Sequence, residues 1–326
     1  MRVFQSLLIR IFYAVILLTA VLILNFSLMY LAPGDVADTI SQSMGGADQE
    51  VLDQIRADYG LDQPFLVQLG RYVGRILHFD LGYSFFYNDP VTKLILERLP
   101  ATLLLVFTAQ ILALVVGVVL GVISARQPNG IASHFVTMLA LFGYSAPVFW
   151  TGILLLIVFS LKIPWFPVAG MQDVTIEGGF MAHALDVLRH LVLPAITLAS
   201  IFLALYSRLA RATMLETLGS DYVRTAKAKG LPERHVVYKH ALKNALSPVI
   251  TLAGLQFSAV VSGAVLVETV FSWPGLGTLA FHSIIARDTP TILGILFFSA
   301  LVVIVGNLLT DLVLRMIDPR LRGRGA

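Results

Sequence analysis

One stretch of the chain, Arg208–Ser247, holds residues whose types and spacing point to docking of a partner. Eight of the 23 basic residues, Arg208, Arg211, Arg224, Lys227, Lys229, Arg234, Lys239 and Lys243, flank or occupy it. Asp221 to Lys229 is helix-forming. Ser220 is placed to accept hydrogen bonds as an N-cap, and Asp221 favours the positive end of the helix dipole. Gly230, with Pro232 two residues on, is a stop signal. Pro232-Glu233 suits the first turn of a second helix, through Val236, Val237, His240 and Ala241. The expectation is a helix–turn–helix at a membrane surface. Tyr222, Ala226 and Gly230 recur every four residues and share a face, while Arg224, Lys227 and Lys229 form a basic one. Anionic headgroups attract such a helix. Yet Ala, Thr and Gly stand where a lipid-surface helix needs large apolar side chains, so the shape suits a protein groove better. Gly230 reads as a helix cap, a hinge, or both.

Residues that could carry covalent or metal chemistry form no constellation. There is no cysteine, hence no disulfide, thiol nucleophile or thiolate metal site. His235 and His240 lie five apart and His183 and His190 seven apart, without H-E-x-x-H or a tight cluster. Neither a G-x-x-x-x-G-K-[ST] loop nor a G-x-S-x-G elbow occurs. The expectation is no enzyme, no metal and no catalytic residue in this chain. Polar residues inside apolar runs are a different matter, because lipid-facing polar groups are costly. Gln256, Ser258, Ser262 and Asn307 are candidates for a solute path, or for interhelical hydrogen bonds. Asp311 is placed to pair with Arg315 at i+4. Glu268, before Phe271, Trp273, Pro274 and Gly275, reads as a contact at an outer gate or as a structural cap.

The elements that must position these residues are membrane helices. Of the 326 residues 57% are hydrophobic and 13% charged, with a net charge of +3; the mean hydropathy is +0.82. A soluble surface needs about twice that charge. Apolar runs long enough to cross a bilayer lie at about Ile11–Leu31, Pro100–Ser124, Phe135–Leu161, His190–Leu209, Pro248–Val270 and Thr291–Ile317. The first follows Arg2 and Arg10 like a signal peptide, but it is too long for one and no A-x-A-like site follows, so it reads as an uncleaved anchor. Residues 32–99 carry ten acidic residues against five basic and read as a small water-facing segment, with a short helix at Glu50–Tyr59 and an amphipathic one at Pro64–Leu77.

Charge fixes the expected orientation. The N-terminus, 125–134, 208–247 and 315–326 carry fifteen basic residues against four acidic; the opposite loops carry eight against fifteen. The asymmetry predicts both termini in the cytoplasm and an even number of spans. The fold class read from this is an all-α polytopic membrane protein with six transmembrane helices. Its parts are 1–31, the N-terminal cytoplasmic end and first helix; 32–99, the extracytoplasmic segment; 100–317, a five-helix core including the loop 208–247; and 318–326, a cytoplasmic tail.

At Asp221-Tyr222-Val223-Arg224-Thr225-Ala226-Lys227-Ala228-Lys229-Gly230-Leu231 the chain resembles the coupling loop of ATP-binding-cassette importer permeases, of type I architecture. The family's general motif is Glu-Ala-Ala, three residues, then Gly. Arg224, Thr225 and Ala226 take the first positions and Gly230 the glycine; Arg and Thr depart from the general pattern, and the closing proline falls later, at Pro248. These departures resemble the dipeptide/oligopeptide/nickel branch. So do Leu31-Ala32-Pro33-Gly34-Asp35, Tyr59-Gly60-Leu61-Asp62-Gln63-Pro64, Asp80-Leu81-Gly82-Tyr83-Ser84, Glu268 to Gly277, Asn307 to Asp311 and Asp318-Pro319-Arg320. Together they cover most of the chain.

The resemblance implies a permease subunit in the bacterial cytoplasmic (inner) membrane. It implies a second homologous permease, two ATPase subunits that hold ATP and Mg, and an extracytoplasmic substrate-binding protein, with no nucleic acid. Asp221, Tyr222, Arg224, Thr225, Ala226, Gly230 and Leu231 would then couple to the ATPases, whose closure drives alternating access. Dipeptides, oligopeptides, glutathione, opines, some sugars and nickel are all substrates of such permeases. A secondary transporter or channel working alone is the competing reading; it predicts inverted repeats, broken helices or paired charges at mid-depth.

Overall fold

The computed structural model describes residues 2–31, 50, 53, 54, 56, 57, 62–173, 175 and 178–317, with side chains left out at 2–8, 10, 11, 132, 139, 144 and 311–317. Most of the Glu50–Tyr59 helix, residues 32–35 and 59–61 of the quoted motifs, the Asp311–Arg315 pair and the tail 318–326 lie outside what is described.

The chain is helical, and its helices outrun its apolar windows. Four are long and apolar enough to cross a membrane alone: Phe12–Leu31, Val91–Arg126, Phe180–Leu218 and Thr289–Thr310. Counting two bent pairs as one span each gives six. The Val91–Arg126 and Phe180–Leu218 helices have 36 and 39 residues. At 1.5 Å per residue the second is roughly 58 Å long, nearly twice the hydrocarbon thickness. An apolar window locates only the lipid-buried part, and backbone hydrogen bonding continues past it into the polar flanks.

The third expected span, Phe135–Leu161, is broken. Ile131–Ser145 and Val148–Leu156 meet near Ala146-Pro147, and the pair is bent by 106°. Pro147 denies Ala146 the helical region, and Ala146 sits at φ −81°, ψ 133°. The fifth bends by 54° at Gln256, between Leu242–Leu255 and Phe257–Val270. Pro100, Pro194 and Pro248 by contrast lie inside continuous helices.

Two compact units divide the chain. The first comprises residues 1–100 and 275–305. Its core gathers Phe26 on the first helix, Tyr72 and Ile76 on the Phe65–Leu77 helix, Val91 and Ile95, and Leu276, Leu279 and Phe297. The Phe65–Leu77 helix was expected from its amphipathic pattern; Pro64 precedes it at the N-cap. A two-residue antiparallel pair, Tyr83–Ser84 with Asp89–Pro90, is the described sheet. Ser84 Oγ donates to buried Asp288 Oδ2 at 2.6 Å, and Thr291 Oγ1 donates to the same oxygen. This ties the Asp80–Ser84 motif to the start of the last long helix. Tyr72 has a buried hydroxyl without a partner among the described residues, beside a cavity of about 90 Å³, and burial pushes its pKa up to about 12.

The second unit comprises residues 101–274 and 306–326. The Phe180–Leu218 helix is its axis, packed by Ile131–Ser145, Val148–Leu156 and Leu242–Leu255. Small residues set the approach. A Cβ at Gly121 would lie 2.5 Å from Ala210 Cβ and 2.7 Å from the Ser207 carbonyl oxygen; one at Gly117 would lie 3.0 Å from Tyr206 Cβ. Gly117 and Gly121 thus form a G-x-x-x-G seam. On the outside Phe107, Ile111, Val115, Val119 and Ile123 form an exposed apolar stripe along one side of the helix.

Candidate functional site

The 208–247 loop folds as a short helix, a turn and a second helix. Asp221–Ala228 is the first; Glu233–His235 continues through a π-helical turn, Val236–Ala241, into Leu242–Leu255. The turn between them depends on Gly230, at φ +74°, whose N–H donates to the Lys227 carbonyl at 2.9 Å. A Cβ there would meet nothing within 4 Å. Glycine is required by backbone conformation, not by space. Ser220 does not cap as expected: its hydroxyl donates to the Thr217 carbonyl, and no side-chain cap bond forms.

A small apolar floor holds this helix. Val223 is fully buried and Ala226 nearly so, against Val122, Ala125, Met214, Val236, Val237, Ala241 and Ala245. Thr213 Oγ1 also donates to the Ala245 carbonyl at 3.0 Å, joining the two long helices below it. Ala226 therefore packs against the chain's own core, beneath the outward face. Residues three apart, 223 and 226, define the inward side of so short a helix. Tyr222 is partly exposed and its hydroxyl accepts from Asn244 Nδ2 at 2.7 Å, bracing the first helix on the second.

Outward stand Asp221, Arg224, Thr225, Lys227, Lys229, Arg234, Lys239 and Lys243, with the exposed apolar side chains of Leu231 and Tyr238. Arg224 and Asp221 pair at 3.5 Å but are so exposed that the contact adds little stability. The surface is a cationic rim around hydroxyl and small apolar groups.

The 268–275 segment does the opposite. Glu268 is fully buried and accepts from Thr102 Oγ1 at 2.6 Å. Ser272, at φ +49°, turns the chain so that Trp273 enters the core, where its Nε1 donates to the Ala101 carbonyl at 2.9 Å. Phe271 and Gly275 are buried and Pro274 is half-buried. Glu268, Phe271, Trp273 and Gly275 are thus packed inside, in keeping with the structural alternative for Glu268. An indole donor and a carboxylate acceptor with partners are satisfied inside.

The candidates for a solute path are not brought together by side-chain hydrogen bonds. Gln256 is at the 54° bend, Ser258 is half-buried, and Ser262 and Asn307 are exposed. Gly254 and Gly306 pack tightly beside the bend, since an added Cβ would overlap Thr310 and the Phe257 ring respectively. No group of three or more metal-ligating residues gathers among the described residues.

Comparison with known proteins settles what this architecture belongs to. The family described as the inner membrane component of binding-protein-dependent transport systems matches residues 117–323, and its N-terminal membrane-component family matches residues 3–106. The chain belongs to this family. It is a permease subunit, the membrane part of an ATP-binding-cassette importer rather than its ATPase, and it falls in the peptide branch. The permease is 39% identical over 307 residues to the oligopeptide transport system permease protein AppB of Bacillus subtilis, covering 94% of this chain and 95% of that one. It is 40% identical over 336 residues to the di/tripeptide transport system permease protein DppB of Pseudomonas aeruginosa, covering 97% and 96%. An inward-facing structure of the MetNI methionine ABC transporter shares the fold, with a TM-score of 0.55 at 16% identity over 69% of this chain and 96% of that chain. A transporter or channel working alone is not favoured.

Sequence reasoning missed two groups that hold the permease together. Gln110 Nε2 donates to Tyr206 Oη at 3.1 Å and to the Ala253 carbonyl at 2.9 Å, joining three helices. A lone Gln in an otherwise apolar run was the available signal. The Gly117/Gly121 seam was equally visible as a four-residue spacing of glycines.

Proposed function

We propose that this permease forms, with a second homologous permease, the translocation path of a peptide importer. Two ATPase subunits, which carry ATP and Mg, dock on the exposed side of Asp221–Leu231, and an extracytoplasmic binding protein delivers the solute. The observation that carries this reading is the Val223–Ala226 floor. It couples the basic outward face to the ends of Val91–Arg126, Phe180–Leu218 and Leu242–Leu255. A push on that face is transmitted to helices of the membrane core, which is what alternating access requires. The two peptide permeases named above support a peptide substrate; glutathione, opines and nickel are the other solutes of the branch. Positive charge on the loop supports a cytoplasmic position for it and for both termini.

The test is transport in proteoliposomes containing this permease, its partner permease, the ATPases and the binding protein. Peptide uptake that needs ATP, and is lost in Arg224→Glu/Lys227→Glu together with ATPase co-purification, is expected. Uptake by this chain alone, or ATPase binding unchanged in that variant, contradicts the proposal.

A further inference from the structure

A pocket of about 330 Å³ lies between the Ile131–Ser145 and Phe180–Leu218 helices, apart from the loop's outward face. Arg208 and Arg211 line it, three residues apart on one side of the long helix. Among the described residues neither forms an ion pair with a carboxylate. Arg211 donates from Nη2 to the Pro128 carbonyl at 3.2 Å, while its Nε is buried without a partner among the described residues. A guanidinium with an orphaned buried N–H and no counter-charge is incomplete as it stands.

The other walls narrow the ligand. The Thr137 and Ser207 hydroxyls already donate to the Ser133 and Ala204 carbonyls, and Ser124 shares its hydrogen bond with Ser133. The remaining wall is apolar, Val136, Ala140 and Leu215. The Ile131–Ser145 helix also shows Ile131, Phe135 and Met138 outward, at 91%, 65% and 71% exposure. Two cations set beside an apolar face fit an anion with a long apolar body. A small free anion would gain from the guanidinium groups alone.

We propose that this pocket binds the phosphate of an anionic phospholipid, with Arg208 and Arg211 on the headgroup and the acyl chains along the Ile131–Met138 face. Basic pockets between membrane helices select such headgroups. Bound there, the lipid would brace the long helix about three turns before the docking helix that begins at Asp221.

Native mass spectrometry of the detergent-purified transporter complex tests this, with phosphatidylglycerol, phosphatidylcholine or inorganic phosphate added. Wild type is expected to retain phosphatidylglycerol over phosphatidylcholine, unaffected by phosphate. Each of Arg208→Gln and Arg211→Gln should reduce that retention about five-fold, and Arg211→Lys less. Arg208 is exposed and makes no hydrogen bond among the described residues, so Arg208→Gln reads out binding even if Arg211→Gln fails to fold. Equal retention of both lipids, retention unchanged in Arg208→Gln, or displacement by inorganic phosphate would each overturn the proposal.

Discussion

In the 208–247 loop the charged side chains stand outward around a two-residue apolar floor; in the 268–275 turn a carboxylate and an indole are wholly buried. Both segments carry recognisable motifs of the family. The difference lies in whether their polar groups find partners inside. Glu268 and Trp273 each have one, in Thr102 and the Ala101 carbonyl. Six exposed cations from Arg224 to Lys243 have no comparable set of internal acceptors, and burying them unpaired would be prohibitive. One motif presents the face proposed to meet the ATPase subunits. The other is a clamp that closes the unit's own core.

Breaking each motif should separate these roles. The largest effect is expected from Val223→Asp, which buries an unpaired carboxylate in the loop floor. A cost on the order of 3–5 kcal/mol would detach the short helix, seen as protease cleavage between 219 and 232 in an otherwise folded permease. Glu268→Leu comes next. It removes the acceptor for Thr102 and should lower the unfolding temperature in detergent by an amount equivalent to about 1–3 kcal/mol, while Glu268→Gln keeps an acceptor and costs less. ATPase co-purification should survive both Glu268 variants at a matched temperature. Gly230→Ala should be mildest, about 1 kcal/mol, because its penalty is a left-handed φ with open space around the Cβ. Thermal melts of this variant and of Gly230→Asn, which tolerates that region better, check it.

Much of this architecture was legible in the sequence, and for stated reasons. Gly230 two residues before Pro232 announced the turn, and a left-handed glycine stands there. The Phe65–Leu77 helix followed from its pattern. Helix ends were not legible, because apolar windows end at the lipid boundary while Val91–Arg126 and Phe180–Leu218 continue beyond it. Proline gave no uniform answer. Pro147 ends a helix, yet Pro100, Pro194 and Pro248 are absorbed within helices.

The direction in which motifs face was the least legible feature. Ala226 is small enough for a docking groove and small enough for a tight core, and only the neighbours Met214, Val236 and Ala241 decide for the core. Glu268 was ambiguous in the same way, since its donor lies 166 positions earlier in the chain.

The absence of native cysteine makes the central claim directly measurable. Single cysteines at Thr225 and at Val223 can each be tested for cross-linking to co-expressed ATPase subunits, with and without ATP. The account predicts efficient, nucleotide-dependent cross-linking from Thr225→Cys and none from Val223→Cys. Equal cross-linking from both positions, or none from Thr225→Cys in an assembled and active complex, would contradict it.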